Sequence, residues 1–348
     1  MSTRRRALVA GLATLAIVGA TVPATLAQTT PLKVVAAYSS VIEEPWDGVI
    51  HAALEAEAAA GTITHTYQDN IGYDGGMELA LREIAESDAP DIIFGDSFGN
   101  EEAVRKVAAD YPNIPFVFGS GGGPADPNFS VFDNWIHEPA YLAGWLAGGL
   151  TKSNVIGIVA GYPVPEVNRL ANAFIEGAQA KNPAIEVKVT FINSWFDPAT
   201  AKEAALAQIA AGADVLYAER DGVIEAAKEK GVLVVGNMSD QLAQAPENVI
   251  TSVTWNMAPT VEYVVDQVNK GSYTAQDLKD FSMMAKGGSG LAPLNTGITG
   301  GIPQALQDEV AKATSDIKSG LVRVDINEAE PAGSSTQPVA SPAASPAA

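Results

Sequence analysis

Cysteine is missing altogether from the 348 residues, so neither a disulfide nor a thioether-linked lipid anchor is open to this chain. Its stability has to come from packing. Histidine is scarce: His51, His65 and His137 are the 3 present. They fall on separate expected elements with no Cys or second His at metal-ligand spacing, so no metal site is expected. Basic residues are few, with 21 Lys and Arg against 41 Asp and Glu and a formal charge of -20. That balance argues against nucleic acid or an anionic membrane surface as partner. The fingerprints of covalent chemistry are also missing, with no G-x-S-x-G elbow, no G-x-x-x-x-G-K-[ST] and no G-x-G-x-x-G after a strand. The run GSGGGPADP (119–127) leads into Pro, Asp and Pro and reads as a turn. Glu43 and Glu44 are adjacent, which in an extended loop points them apart and forms no acid–base pair. No enzyme activity and no cofactor are expected.

What is present begins with MSTRRRALVAGLATLAIVGATVPATLAQ, residues 1–28. Three arginines, an apolar stretch and a small-residue exit predict a secretory signal peptide, and Thr3-Arg4-Arg5 also fits twin-arginine export. Losing Arg4, Arg5 and Arg6 takes the formal charge from -20 to -23. Beyond it no run approaches eighteen consecutive apolar residues. The expected product is exported, periplasmic or extracellular, soluble and without a lipid anchor. From residue 328 onward, EAEPAGSSTQPVASPAASPAA carries almost no large apolar side chains and predicts a disordered tail. The remaining part, about 300 residues, is long enough for two domains.

The stretch VVAAYSSVIEEPWDG (34–48) predicts a first strand that spills into a polar loop carrying Glu43, Glu44, Trp46 and Asp47. Helix and strand then alternate, with strands expected at 62–67, 91–94, 114–118 and 129–135 and an apolar helix at 138–151 with small residues on one side. The pattern restarts at NVIGIVA (154–160) and runs through strands at 185–192, 214–217, 232–236 and 249–253. Such alternation predicts α/β lobes with parallel sheets and helices on both faces. The expected division is 31–153 with about 279–327 in an N-terminal lobe, and 154–278 in a C-terminal lobe. Two hinged lobes of this kind describe type I periplasmic binding proteins.

Polar and aromatic residues recur just after strand ends, where ligands of open α/β sheets sit. Trp46 and Asp47 follow the first strand, and Asp96, Phe98 and Asn100 follow DIIF. In the second half the same places hold Tyr162 and Asn168, then Trp195 and Asp197, Arg220 and Asp221, Met238 and Asp240, and Trp255. Tyr38 and Glu43 are further candidates. Asp197 before Pro198 also reads as a helix N-cap, as do Asp221 and Asn100 before their helices.

The runs DIIFGDSFGNEEAVRKVAADYPNIPFVF, DNWIHEPAYLAGWLAG, NSWFDPATAKEAA and GVLVVGNMSDQ with ITSVTWN together resemble the basic membrane protein family of substrate-binding proteins. The resemblance implies a type I periplasmic binding protein that serves an ABC importer and binds purine nucleosides. It puts Trp46 in place of a base-stacking Phe, Asp47 in place of an Asn, and a second stacking aromatic at Trp195. Those two rings would sandwich a purine. The base-reading acid falls on Asn100, near Phe98, with Asp96 as an extra acid. Met238 stands where the family has a ribose-binding acid and Trp255 where it often has a Lys. Losing a buried hydroxyl acceptor costs on the order of 1–3 kcal/mol, so the departures favour a free nucleobase over a nucleoside. A monomer that hands a purine-like ligand to an ABC transporter permease is the expected reading. A sensor domain for a sugar or amide is the alternative. A nucleoside hydrolase is disfavoured by the lack of a calcium-chelating acid cluster in one loop.

Overall fold

Apolar runs that are buried on both faces form parallel strands, and here they form two sheets. The computed structural model describes residues 30–337; the expected signal peptide (1–28) and the end of the expected tail (338–348) lie outside the described residues. The first sheet is built by β1 (Leu32–Ala37), α1 (Pro45–Ala60), β2 (Ile63–Gln68), α2 (Gly76–Glu83), β3 (Ile92–Asp96), α3 (Glu101–Asp110), β4 (Phe116–Gly119) and β5 (Phe129–Phe132). Its strands are parallel in the order β2-β1-β3-β4-β5. All five residues of β3 are buried, as an interior strand covered by helices on both faces requires.

The second begins with α4 (His137–Leu150), β6 (Val155–Ala160), α5 (Pro165–Lys181), β7 (Glu186–Phe191), α6 (Pro198–Ala210), β8 (Val215–Ala218), α7 (Val223–Lys230), β9 (Leu233–Met238) and β10 (Val249–Trp255). The chain ends with α8 (Ala258–Asn269), β11 (Ser289–Leu291), α9 (Gln304–Lys318) and β12 (Ser335–Thr336). The second sheet runs β11-β10-β9-β8-β6-β7-β12, parallel except for the β10–β11 pair. In each sheet the first strand has neighbours on both sides that follow it in sequence: β1 lies between β2 and β3, and β6 between β7 and β8. Those are the places where the crossovers change direction and leave a crevice at the strands' carboxyl ends.

The expected division into lobes differs from this pairing in three segments. Helix α4, expected in the first lobe, packs along α5 on the second sheet. Its Gly144 and Gly148, with Gly177 of α5, let the two backbones touch: a Cβ on Gly177 would lie 1.9 Å from the Tyr141 carbonyl oxygen, and one on Gly144 2.0 Å from that of Phe174. Helix α8, expected in the second lobe, packs on α1, and the segment after it lies beside β5, with the Leu278 N–H donating to the Val131 carbonyl at 2.7 Å. The return segment, expected in the first lobe, supplies β11 to the second sheet and α9 to the outside of α4. The chain therefore passes between lobes after β5, after β10 and before β11.

Two further expectations change. Residues 328–337 of the expected disordered tail dock on the second lobe: Glu328 pairs with Arg169 at 2.7 Å, Asn172 donates to the carbonyl of Ala329 at 2.7 Å, and β12 pairs with β7. The attachment uses backbone and ionic contacts, which a count of apolar side chains does not register. His51 and His65, expected apart, come within 3.3 Å because α1 folds back along β2. Among the described residues no helix is long and apolar enough to cross a membrane.

The glycine contact between α4 and α5 yields a signed prediction. In an open helix Gly→Ala gains about 1 kcal/mol, whereas overpacking costs about 1–3 kcal/mol. G177A should therefore lower the midpoint of thermal unfolding by a few degrees, and a rise would show that the backbones are not in contact.

Candidate functional site

The carboxyl ends of both sheets meet around one cavity of about 330 Å³ of empty space, lined by Ser40, Glu44, Trp46, Tyr73, Asp96, Phe98, Ser120, Glu166, Trp195 and Arg220. Little of it is free: about 20 Å³ is open to the centre of a water-sized sphere, which is room for one or two waters.

Glu44 organises the first-lobe wall. It is the N-cap of α1, its Oε2 accepting from the backbone N–H groups of Trp46 (2.9 Å) and Asp47 (3.1 Å), with Pro45 at the first helical position. This cap starts the helix earlier than the expected loop allows and puts Trp46 and Asp47 in its first turn. Oε1 of Glu44 reaches across the cleft and accepts from Arg220 Nη1 at 2.8 Å. Arg220 also donates to Glu219 Oε1 (2.7 Å) and to the Trp195 carbonyl (2.9 Å), and its guanidinium lies 5.4 Å from the Trp195 ring centre. All three charged groups are buried, so each carries its partner's hydrogen bonds in place of water. Burial raises the Glu44 carboxyl, and Arg220 opposes that rise.

Aromatic rings occupy both walls. Trp46 is 7% exposed, stacks on Phe132 (5.8 Å, 14°) and leans on Trp255 (5.1 Å). Its ring fills the space over Gly119, where a Cβ would come within 1.8 Å of it. Its indole N–H has no hydrogen-bond partner among the described residues. On the other side Trp195 is met edge-on by Phe98 (5.0 Å) and at a tilt by Tyr162 (4.8 Å). In this arrangement the ring facing Trp195 is Phe98, and Trp46 lies deeper.

Asp96, at the end of β3, accepts from the Phe98 N–H at 2.9 Å. Burial, with Glu44 and Asp133 nearby, pushes its carboxyl up to about 7. Asp47 is raised well above the ordinary range by burial and by Asp96 and Glu44, and Glu166, half-buried in the first turn of α5, by burial and by Asp133. The cavity is thus an acid-rich space holding one guanidinium.

Of the residues expected at the site, Trp46, Asp96, Phe98 and Trp195 line the cavity. Asp47 lies just behind, accepting from the Ser40 N–H at 3.1 Å. Asn100 ties the loop after β2 to β1 by donating to Ser39 Oγ (3.1 Å) and the Gly72 carbonyl (3.0 Å), so it makes no side-chain cap on α3. Trp255 donates to Ser282 Oγ at 2.9 Å and backs Trp46 from behind. Met238 is buried beside Asn134 with a left-handed backbone (φ 66°). Tyr38 is buried in the first lobe near His51, while Asn168 donates to the Glu328 carbonyl. Asp240 is exposed and accepts from the Leu242 N–H. Asp197 caps α6 through the Thr200 N–H, as expected. Asp221 accepts from Gln241 and makes no cap on α7, whose N-cap is Gly222. Glu43 points to solvent, and its neighbour Glu44 is the acid that faces the cavity. Ser40, Tyr73, Ser120 and Glu166 carry no sequence signal beyond a place near a strand or helix end. Arg220, at the end of β8, does.

A family model described as Bmp, ABC transporter substrate-binding protein PnrA-like, matches residues 34–284. Over 200 residues the chain is 36% identical to a putative ABC transporter glucose-binding protein of Haloferax volcanii, covering 57% of this chain and 51% of that protein. Over 227 residues it is 32% identical to a purine-binding protein of Brucella abortus, covering 64% and 63%. The matched part of the chain thus spans between half and two thirds of these curated relatives. A solved ABC transporter solute-binding protein from Conexibacter woesei superposes with a TM-score of 0.70 at 23% identity, over 86% of this chain and 100% of that one. This likeness establishes the expected two-lobed α/β fold of type I periplasmic binding proteins.

The Asp96 carboxyl sets a pH dependence. An unfolded Asp releases its proton near 3.9, whereas folded Asp96 holds it to about 7. Between those values the folded state binds more protons, so this group's contribution to stability is full below about 4 and is lost as pH rises to about 7. His137, pushed down to about 4 by burial and Arg169, has the opposite slope, so the comparison must be made against D96N. Relative to D96N, the wild-type chain should lose stability from pH 4 to 7 in denaturant titrations; parallel profiles would show that Asp96 titrates normally.

Proposed function

The chain belongs to the Bmp family of PnrA-like ABC transporter substrate-binding proteins, and from that premise we propose that it captures a purine-like heterocycle, a free nucleobase in preference to a nucleoside. The observation that carries this reading is the meeting of aromatic rings and a buried acid at the crevices of both sheets: Trp46, Phe98 and Asp96 come from the first lobe and Trp195 from the second. Once the lobes part and lift the Phe98 edge off Trp195, a flat ring laid on the Trp195 face gains stacking worth about 1–3 kcal/mol per base. Asp96, with a proton to give or withhold near neutral pH, suits the mixed donors and acceptors of a purine edge, and the unpartnered Trp46 N–H is a further donor. The acids repel a phosphate, which argues against nucleotides. Trp255 and Met238 pack as apolar residues where the family resemblance implies ribose-binding groups, which supports the smaller ligand.

So small a free volume requires the lobes to part for entry and to close over the ligand, remaking the Glu44–Arg220 pair. The exported monomer would then present its closed form to an ABC transporter permease, with no covalent step. A second reading is a sugar, favoured by the acids and the guanidinium around the Trp195 face and by the similarity to the putative glucose-binding protein of Haloferax volcanii.

Tryptophan emission should change on titration with adenine, guanine or hypoxanthine, and W195A should weaken that binding on the order of 5- to 150-fold. Silence with every purine and a response to glucose would replace this reading with the sugar one.

A further inference from the structure

Away from the cleft, α1 and the edge strand β2 bring together three side chains the binding function does not use. We propose that His51, Glu55 and His65 form a site for a first-row divalent cation of the zinc class. His51 and Glu55 are one helical turn apart and share a face of α1; His65 projects toward them from β2, whose register with β1 sets it opposite Val34. His65 Nε2 lies 3.3 Å from His51 Nδ1 and 3.9 Å from Glu55 Oε1, and the three donor atoms all fall within 4.8 Å of one another.

Ligands bound to zinc at about 2.0–2.2 Å in a tetrahedron are separated by roughly 3.3–3.5 Å. The two imidazole nitrogens already have that spacing, and it is longer than an ordinary hydrogen bond. Glu55 is too far from His65 for a hydrogen bond, and its side chain is 57% exposed, so rotation can bring its carboxylate the roughly 0.5 Å closer to His65 and the roughly 1 Å closer to His51 that the tetrahedron asks. Two imidazoles and a carboxylate are a borderline-soft donor set that zinc takes, whereas calcium and magnesium select oxygen alone. The His65 side chain has no exposure, and the Tyr67 ring stands 4.6 Å from that of His51, so both rings are held before any ion arrives. Glu55, open to solvent, leaves the entry path and a fourth position for water.

The test uses the full chain without a purification tag, stripped with chelator and dialysed. Zinc chloride is titrated in competition with a chromophoric chelator, and cobalt is added in parallel. One zinc per chain is expected, with visible absorption of tetrahedral cobalt. H51N and E55Q, both at partly exposed positions, should each weaken zinc binding by about 10-fold or more and alter the cobalt spectrum while leaving purine titration and metal-free unfolding unchanged. No retained zinc, or equal affinity and stoichiometry in both variants, would overturn the site and reduce the cluster to a packed pair of rings.

Discussion

The ion pair between Glu44 and Arg220 is the contact on which the site depends. Glu44 starts α1 with one carboxylate oxygen and spans the cleft with the other, so the same side chain sets the position of Trp46 and the registry of the two lobes. Arg220 answers with donors to Glu44, Glu219 and the Trp195 backbone, and its flat face backs the Trp195 ring. Such a pair regains hydration when it separates, so it specifies which faces meet more than it adds net stability. Under the proposed capture of a ligand between the lobes, a contact of this kind defines the closed state without locking it.

Around that pair the fold concentrates charge of one sign. Glu44, Asp47, Asp96 and Glu166 all have raised carboxyls, with burial the first cause in each case and neighbouring acids adding to it for Asp47, Asp96 and Glu166. A cavity whose Asp96 keeps its proton to about 7 offers a hydrogen-bond donor beside the acceptors of its other carboxylates. The aromatic walls add area and orientation, because rings at the crevices of both sheets face one volume. Neither half of the chain contains this chemistry alone.

Much of the architecture was legible along the chain. Fully buried strands such as DIIF and NVIGIVA read as parallel strands because both faces demand apolar residues, and Asp197 before Pro198 read as a cap because the chemistry of a helix start is local. Trp46, Asp96, Phe98 and Trp195 were found by one rule, that residues just past a strand's end face the crevice. The rule does not reach Tyr73, which arrives from a loop, or Glu166, whose place depends on how α5 leans over β6. It also points to Trp255 and Asn100, which the packing turns toward structural partners.

The lobe boundaries show the same limit. Helix α4 reads as a continuation of the first lobe because it follows β5, yet its glycine face fits α5, and only the two helices together express that fit. The histidines repeat it: fourteen positions apart, His51 and His65 meet because α1 returns along β2. What the sequence by itself determined was the type of most elements, the strands to within two or three residues and the family, since periodicity, caps and local motifs act over a few residues. Which acid of the Glu43–Glu44 pair crosses the cleft, which tryptophan faces the cavity and which histidines meet were decided by tertiary structure alone. Those depend on contacts between segments far apart in the chain, whose distances no local pattern encodes.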